Sequence, residues 1–250
     1  ELVLSVLSNL AYVQLRNGQF QAAEHTLKEF RQCPTTWKMA EHEDLEQKLF
    51  TTSASLELSM YARTGDFGRA LELVPFVERG LARYAQRMGN VRKAGFYFQL
   101  AYVHFGTGEW DKAMKWCNRL FNDIRIDDSA EIIAFGRVLY LLCLIEVKDQ
   151  DLLHYTLRNT ERFMQTRQRA HRFESIFLET VRELAKARDD ANKQPVLQRF
   201  ENLLHELEND PREQVVFDHV DVLAWTQARR TGRPFAELVR ERAASATKAA

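Results

Sequence analysis

The chain has 250 residues, of which 45% are hydrophobic and 28% are charged, and its 35 basic residues are balanced by 35 acidic ones. This composition excludes an intrinsically disordered chain, and the net charge of zero provides no bulk attraction for nucleic acid or an anionic membrane. With only 10 glycines and 5 prolines, the sequence has too few turn residues for an all-β protein and favours long helices.

The cysteines and the apolar stretches indicate a compartment. Cys33, Cys117 and Cys143 lie far apart within apolar helical patterns, which is typical of reduced thiols in a cytoplasmic protein. We expect neither a membrane span nor a signal peptide, because no apolar run reaches about 18 residues and no basic region precedes the first apolar stretch. The chain opens at Glu1 within a helical pattern, as would a piece cut from a longer array.

A short pattern recurs three times in the first half of the chain. A glycine is followed by an aromatic residue and then by an alanine at fixed spacing: Gly18, Phe20 and Ala23; Gly65, Phe67 and Ala70; Gly108, Trp110 and Ala113. Glycine accepts the positive φ that ends one helix, the aromatic ring fills the gap between two helices, and alanine lets their backbones approach closely. The pattern therefore predicts three helix–turn–helix hairpins.

A fourth hairpin continues the spacing, with Asp149, Asp151 and His154 in place of the glycine, the aromatic residue and the alanine. The units recur at intervals longer than the roughly 34 residues of common helical repeats. From Trp37 to Arg63 neither glycine nor proline interrupts the pattern. We therefore expect hairpins built from unusually long helices.

From about Leu2 to Met164, these motifs resemble those of the tetratricopeptide repeat (TPR) family. Ala11, Leu58 and Ala101 stand at the family's close-packing position in the first helix of each hairpin. The chain as a whole, including the tail DVLAWTQARRTGRPFAELVRE, also resembles a group of bacterial TPR proteins. The resemblance implies an all-α, TPR-like superhelix, a solenoid of antiparallel hairpins, and it implies no activity.

The sequence divides into four repeat hairpins, further helical hairpins that cap the array, and a flexible tail: residues 1–168, 169–243 and 244–250. Asp210, Pro211 and Glu213 read as an N-cap, a proline in the first helical turn and the glutamate of a capping box. A helix is therefore predicted to begin there. Gly232 predicts the end of that helix, shortly before a final one.

No residue pattern for chemistry emerges from the same survey. His42 and His205 each begin a stretch that resembles a zinc-binding helix, but neither has a second histidine four residues later. Glycine-rich phosphate loops and the nucleophile motif of hydrolases do not occur. We therefore expect a protein that is not an enzyme, with no catalytic residue, no cofactor and no metal.

The resemblance implies a concave groove lined by the first helix of each hairpin. Carried over residue by residue, its register gives nine groove positions: Tyr12, Arg16, Ser55, Ser59, Arg63, Phe98, Tyr102, Phe105 and Glu146. Aromatic rings and arginines suit a peptide with apolar and acidic residues. Alternatively, about half of these side chains pack against a neighbouring helix. The lysine and asparagine clamp of chaperone-binding members is absent, which argues against that role.

The sequence thus predicts a non-enzymatic scaffold that binds a protein or peptide, with no nucleic acid and no membrane as partner. The alternative is a peptide-sensing regulatory module of a larger bacterial signalling or transcriptional protein. Self-association through exposed terminal repeats stays open. Two further questions are left to the structure, namely the identity of the partner and whether the groove is open or filled by the chain's own C-terminal hairpin.

Overall fold

The computed structural model describes residues 2–40, 42–125, 129–167, 171–187, 189–217 and 219–249, and within these ranges every regular element is helical. The all-α class is therefore confirmed. None of the described helices is both long and apolar enough to cross a membrane. The helices are α1 Leu2–Arg16, α2 Phe20–Thr36, α3 Glu43–Arg63, α4 Phe67–Tyr84, α5 Asn90–Gly106, α6 Trp110–Asp123, α7 Ala130–Val147, α8 Gln150–Gln165, α9 Arg172–Lys186, α10 Asp190–Glu208, α11 Gln214–Phe217, α12 Val222–Thr231 and α13 Phe235–Ala249.

The three predicted glycine turns are present. Gly18, Gly65 and Gly108 each have φ between 70° and 77° and follow the last turn of a first helix. In each case the residue after the glycine donates its backbone N–H to the carbonyl of the residue five positions earlier. Asp66, for example, donates to Tyr61 at 2.8 Å. This is the Schellman arrangement, which satisfies carbonyls that a helix end leaves without partners. The alanines of the motif are fully buried between the paired helices.

The fourth turn departs from the predicted alignment. The residue in the left-handed region is Lys148, with φ 60°, rather than Asp149. Asp149 instead caps α8, where its side chain accepts a hydrogen bond from the Leu152 N–H at 3.0 Å. An aspartate is a preferred N-cap because its short carboxylate reaches the free N–H groups of the first turn. Asp66 caps α4 in the same way directly after Gly65, so Lys148 and Asp149 are the counterparts of Gly65 and Asp66.

The hairpins pack in order along the chain. Each of α1, α3, α5 and α7 contacts the helix that follows it, and these four first helices also contact one another in sequence. Each second helix in turn contacts the first helix of the next hairpin. One continuous apolar core runs from Leu15 to Val239, and a smaller cluster of Leu4, Phe30, Cys33 and Leu45 lies at the N-terminal end.

Helix α3 covers only part of the stretch from Trp37 to Arg63 that lacks glycine and proline. A left-handed residue, Lys38, follows α2, and α3 begins only at Glu43. The side chain of His42 caps α3 by accepting a hydrogen bond from the Leu45 N–H at 3.1 Å. At 21 residues, α3 is still a long helix, well above the usual three turns.

The C-terminal helices return to the repeat array. Helices α9, α10, α12 and α13 pack in succession, and α13 contacts α3. The boundary predicted at 168/169 lies outside the described residues. Gly232, with φ 71°, ends α12 as predicted. Helix α13 continues to Ala249 and so includes most of the segment 244–250 that was predicted as a flexible tail.

The capping box predicted at Asp210 and Glu213 is wrong. Residues 211–213 form a turn, and only the four-residue α11 follows them. The Glu213 carboxylate instead accepts hydrogen bonds from the backbone N–H groups of Arg172 and Phe173, at 2.9 and 3.0 Å. It therefore caps the N-terminus of α9, whose own N-cap residue, His171, makes no capping hydrogen bond. A carboxylate is favoured there because the helix dipole is positive at that end.

Candidate functional site

The nine predicted groove positions fall into two groups with different surroundings. On α1 and α3, Tyr12 and Arg16 are exposed, and Ser55, Ser59 and Arg63 are half-buried. On α5 and α7, Phe98, Tyr102 and Phe105 are buried, and Glu146 is half-buried. Residues from the chain's own C-terminal segment contact each member of the second group.

Phe235, at the start of α13, packs among the aromatic residues of the covered group. Its ring centroid lies 5.3 Å from that of Phe105, 5.6 Å from that of Phe67 and 6.3 Å from that of Tyr102. Aromatic pairs in this distance range contribute about 0.5–1.5 kcal/mol beyond the area that they bury. The Arg240 Nε donates to the Gly65 carbonyl at 3.2 Å and fixes α13 against the end of α3.

Tyr102 occupies a central position beneath this cover. The backbone N–H of Asp221 donates to the Tyr102 hydroxyl oxygen at 3.1 Å. Burial raises the pKa of Tyr102 well above its usual value, and the nearby charge of Asp221 raises it further. The phenol therefore stays protonated, and its role is to hold the segment that precedes α12.

Two residues of α12 contact the Glu146 carboxylate. The Trp225 Nε1 donates to one carboxylate oxygen of Glu146 at 2.7 Å, and the Arg229 Nη1 lies 3.4 Å from the other. Trp225 is itself buried. A buried indole N–H needs an acceptor, and Glu146 supplies it from the opposite side of the interface.

A cavity of about 470 Å³ remains where the open and covered groups meet. It lies between the α1–α2 turn, the end of α3, the middle of α5 and the C-terminal segment. Three predicted groove residues line it, namely Arg16, Arg63 and Tyr102. The remaining lining comes from the α1–α2 turn, from Ala62 and from the C-terminal segment, and consists of Asn17, Gly18, Phe20, Ala62, Phe217, His219, Asp221, Val239, Arg242 and Ala243.

The arginines of the cavity are positioned by the fold. The Arg63 Nη1 donates to the Leu15 carbonyl at 3.2 Å, so its guanidinium sits at the C-terminal end of α1, where a helix dipole favours positive charge. Arg242 lies 2.9 Å from Asp221 and 2.5 Å from Glu208. Burial opposes its charge, but the two carboxylates outweigh this and raise the pKa of Arg242. The lining therefore carries three arginines and one aspartate.

A second cavity, of about 720 Å³, lies between α2, α3 and α4. It has an apolar floor that includes Phe50 and Phe76, and none of the nine predicted residues lines it. Two of its arginines are paired with carboxylates, since Arg31 contacts Glu57 and Arg83 contacts Glu46.

The described part of the chain was compared with the requirements of a metal site and of a reactive thiol. No three His, Cys, Asp or Glu side chains there are placed to hold a metal ion. Burial raises the pKa values of the Cys33, Cys117 and Cys143 thiols, so they stay protonated at neutral pH. The first cavity places Arg16 and Arg63 beside aromatic and apolar surface, whereas its third arginine, Arg242, is paired with Asp221 and Glu208. This lining suits a ligand that combines an acidic group with an apolar one.

Sequence reasoning missed the C-terminal part of this site. Nothing near His219 and Asp221 in the sequence points to α5, although both residues line the cavity with Tyr102. Fold and site together define an all-α protein of stacked helical hairpins whose C-terminal helices cover part of one face. Comparison of the chain with protein-family models, with curated proteins and with solved structures found no match.

Proposed function

We propose that this chain is a TPR-like, non-enzymatic module that binds a peptide segment of another protein in the 470 Å³ cavity. The observation that carries the proposal is that Arg16, Arg63 and Tyr102, from three successive first helices, line one cavity. These residues were selected from the repeat register alone. The agreement between register and cavity supports a peptide site rather than an incidental gap in packing.

The chemistry of the lining defines the peptide. Arginine binds carboxylates through two parallel N–H groups, and the hydrogen bonds are stronger because both partners are charged. Phe20, Phe217 and Val239 supply apolar surface beside the arginines. The expected ligand is therefore an acidic residue, or a C-terminal carboxylate, next to a bulky apolar side chain.

The test uses three fluorescent heptapeptides with the same apolar residues and with acidic, neutral or basic remaining positions. We expect the acidic peptide to bind most tightly, as measured by fluorescence anisotropy. The double substitution Arg16→Ala, Arg63→Ala is expected to weaken its binding by roughly tenfold or more, since a charge-assisted hydrogen bond contributes about 1.5–3 kcal/mol.

The matched control is Arg79→Ala, Arg83→Ala, which removes the same charge from the second cavity. Circular dichroism is used to check that each variant keeps its helical content. Equal affinity for all three peptides, or a loss of binding only in the control variant, would refute the assignment of the site to the first cavity.

A further inference from the structure

Arg137, on α7, carries a guanidinium that lies over two aromatic rings. Its central carbon is 5.0 Å from the ring centroid of Phe121 on α6 and 4.6 Å from that of Phe163 on α8. Contacts of this kind hold a guanidinium in a fixed orientation. Arg137 is half-buried, and of its side-chain nitrogens only Nε is fully buried without a hydrogen-bond partner. The two Nη atoms therefore face solvent.

Arg137 differs from the other arginines that lie over aromatic rings in the described part of the chain. Each of the others has a carboxylate partner: Arg69 has Glu24 at 2.7 Å, Arg83 has Glu46 at 2.6 Å and Arg119 has Asp123 at 3.5 Å. Among the described residues, the side chain of Arg137 forms neither an ion pair nor a hydrogen bond. Burial lowers the pKa of Arg137, and no carboxylate offsets that effect. Because a charge removed from water is normally paired, an anion is missing here.

The position of Arg137 in the chain shows that this absence is not an effect of an end of the array. Hairpins precede α7, and α9 to α13 follow α8. Helix α6 packs on α7, α7 on α8, and α8 on α9. The helices that could have supplied a carboxylate on either side are therefore present.

The exposed side of α8 extends this cationic surface. Tyr155, Arg158 and Arg162 are exposed and, at spacings of three and four residues, lie on one side of the helix. Neither arginine has an ion-pair partner among the described residues. The three positions span about 10 Å along the helix, which is more than one small anion covers. Tyrosine and arginine are also the residue types that contribute most to binding at protein interfaces.

The acidic residues of α8 do not neutralise this side of the helix. Glu161 pairs with Arg182 of α9. Asp151 lies in the first turn of α8, about two turns before Arg158. The surface formed by Arg137, Tyr155, Arg158 and Arg162 therefore keeps an excess of positive charge.

We propose that this surface binds an acidic segment of a partner protein. One carboxylate of the segment binds the two Nη atoms of Arg137, whose parallel N–H groups match its two oxygens. Further carboxylates of the segment lie along Arg158 and Arg162. The chain itself favours carboxylate over phosphate, because each of its other ring-stacked arginines among the described residues is paired with aspartate or glutamate. None of these residues lines the 470 Å³ cavity, so the surface is separate from the proposed peptide site.

The test measures the binding of a fluorescein-labelled hexaglutamate peptide by anisotropy, at low ionic strength because salt screens exposed charges. We expect Arg137→Met to raise the dissociation constant by roughly tenfold or more, since charge-assisted hydrogen bonds are lost. Methionine keeps an apolar side chain on the two rings. The urea midpoint of unfolding should therefore be unchanged or higher than in the wild type, because an uncompensated charge is removed.

The matched control is Arg119→Met, which removes the same charge from an arginine that also lies over aromatic rings. Arg119 contacts Asp123 and donates to the Tyr97 hydroxyl at 3.1 Å. Because these partners lie within the chain, we expect Arg119→Met to lower the urea midpoint and to leave hexaglutamate binding unchanged. A purely structural role of Arg137 would instead make the two variants alike.

A second variant keeps the proposal testable if Arg137→Met does not fold. Arg158→Ala, Arg162→Ala changes only exposed side chains, and we expect it to raise the dissociation constant several-fold. Equal binding of hexaglutamate and hexalysine would overturn the proposal, as would undiminished affinity in both variants or tighter binding of a phosphoserine peptide or of oligothymidine.

The cavity variant Arg16→Ala, Arg63→Ala separates this proposal from the peptide site. Hexaglutamate binding that is lost in the cavity variant and kept in Arg137→Met would place the peptide in the cavity and overturn the proposal for α7 and α8. We expect the reverse pattern for hexaglutamate, whatever the outcome with the acidic heptapeptide that contains apolar residues.

Discussion

The open and covered groups of predicted groove positions occupy equivalent places in successive hairpins, yet their surroundings are opposite. Tyr12 on α1 is 54% exposed, whereas Tyr102 on α5, which the repeat register aligns with it, is 7% exposed. The difference comes from residues far along the chain, since Phe235 and Asp221 cover Tyr102. The repeat register therefore identifies which face of the hairpin a residue lies on. The C-terminal segment determines whether that residue is exposed or buried.

The largest expected difference in stability between the two groups comes from truncating one aromatic residue in each of them. Phe105→Ala removes a fully buried ring that contacts Trp110 and Phe235, and we expect it to lower the free energy of unfolding by about 3–5 kcal/mol. Tyr12→Ala removes an exposed ring and should change it by less than about 0.5 kcal/mol. Urea unfolding followed by circular dichroism measures both. Equal losses of unfolding free energy in the two variants would show that the covered group contributes no more to stability than the open group.

A smaller and more specific effect is expected at the turn glycines. Gly18 and Gly65 share a positive φ, but a Cβ at Gly18 meets nothing within 4 Å, whereas a Cβ at Gly65 would lie 2.6 Å from the Ala236 carbonyl oxygen of α13. Gly18→Ala should cost about 1–2 kcal/mol from the backbone conformation alone. Gly65→Ala should cost about 1–3 kcal/mol more, because α13 must move.

Hydrogen exchange distinguishes the origin of that additional cost. In Gly65→Ala we expect faster exchange of the α13 amides, and in Gly18→Ala no change there. Unaltered protection of α13 in both variants would mean that its docking on α3 tolerates the extra methyl group, and the interpretation of α13 as a fixed cover would fail.

Sequence reasoning succeeded where a feature depends on neighbouring residues and failed where it depends on residues far along the chain. The glycine, aromatic and alanine motifs are local, so they predicted the three turns and the buried alanines. The fourth turn was placed one residue late because a lysine, Lys148, takes the position of the turn glycine there, and without a glycine the spacing alone did not fix the alignment. Glu213 was assigned to its own helix but caps α9, and only the tertiary fold brings these two elements together. The cover on Tyr102 could not be predicted, since no local pattern links α5 to residues more than a hundred positions later.

The smallest expected effect concerns the polar contact at the edge of the covered part. Glu146→Gln retains an acceptor for the Trp225 Nε1 and loses only the charge that faces the half-buried Arg229, so we expect a cost of about 0.5–1 kcal/mol.

Glu146→Ala would leave the buried indole N–H of Trp225 without its acceptor and should cost about 1–3 kcal/mol. Ser59→Ala, in the open part, should be close to neutral. Urea unfolding of the three variants ranks them directly. If Glu146→Ala lowered the free energy of unfolding no more than Ser59→Ala does, the contact between Glu146 and α12 would contribute little to stability, and α12 would be held against α7 by its other contacts.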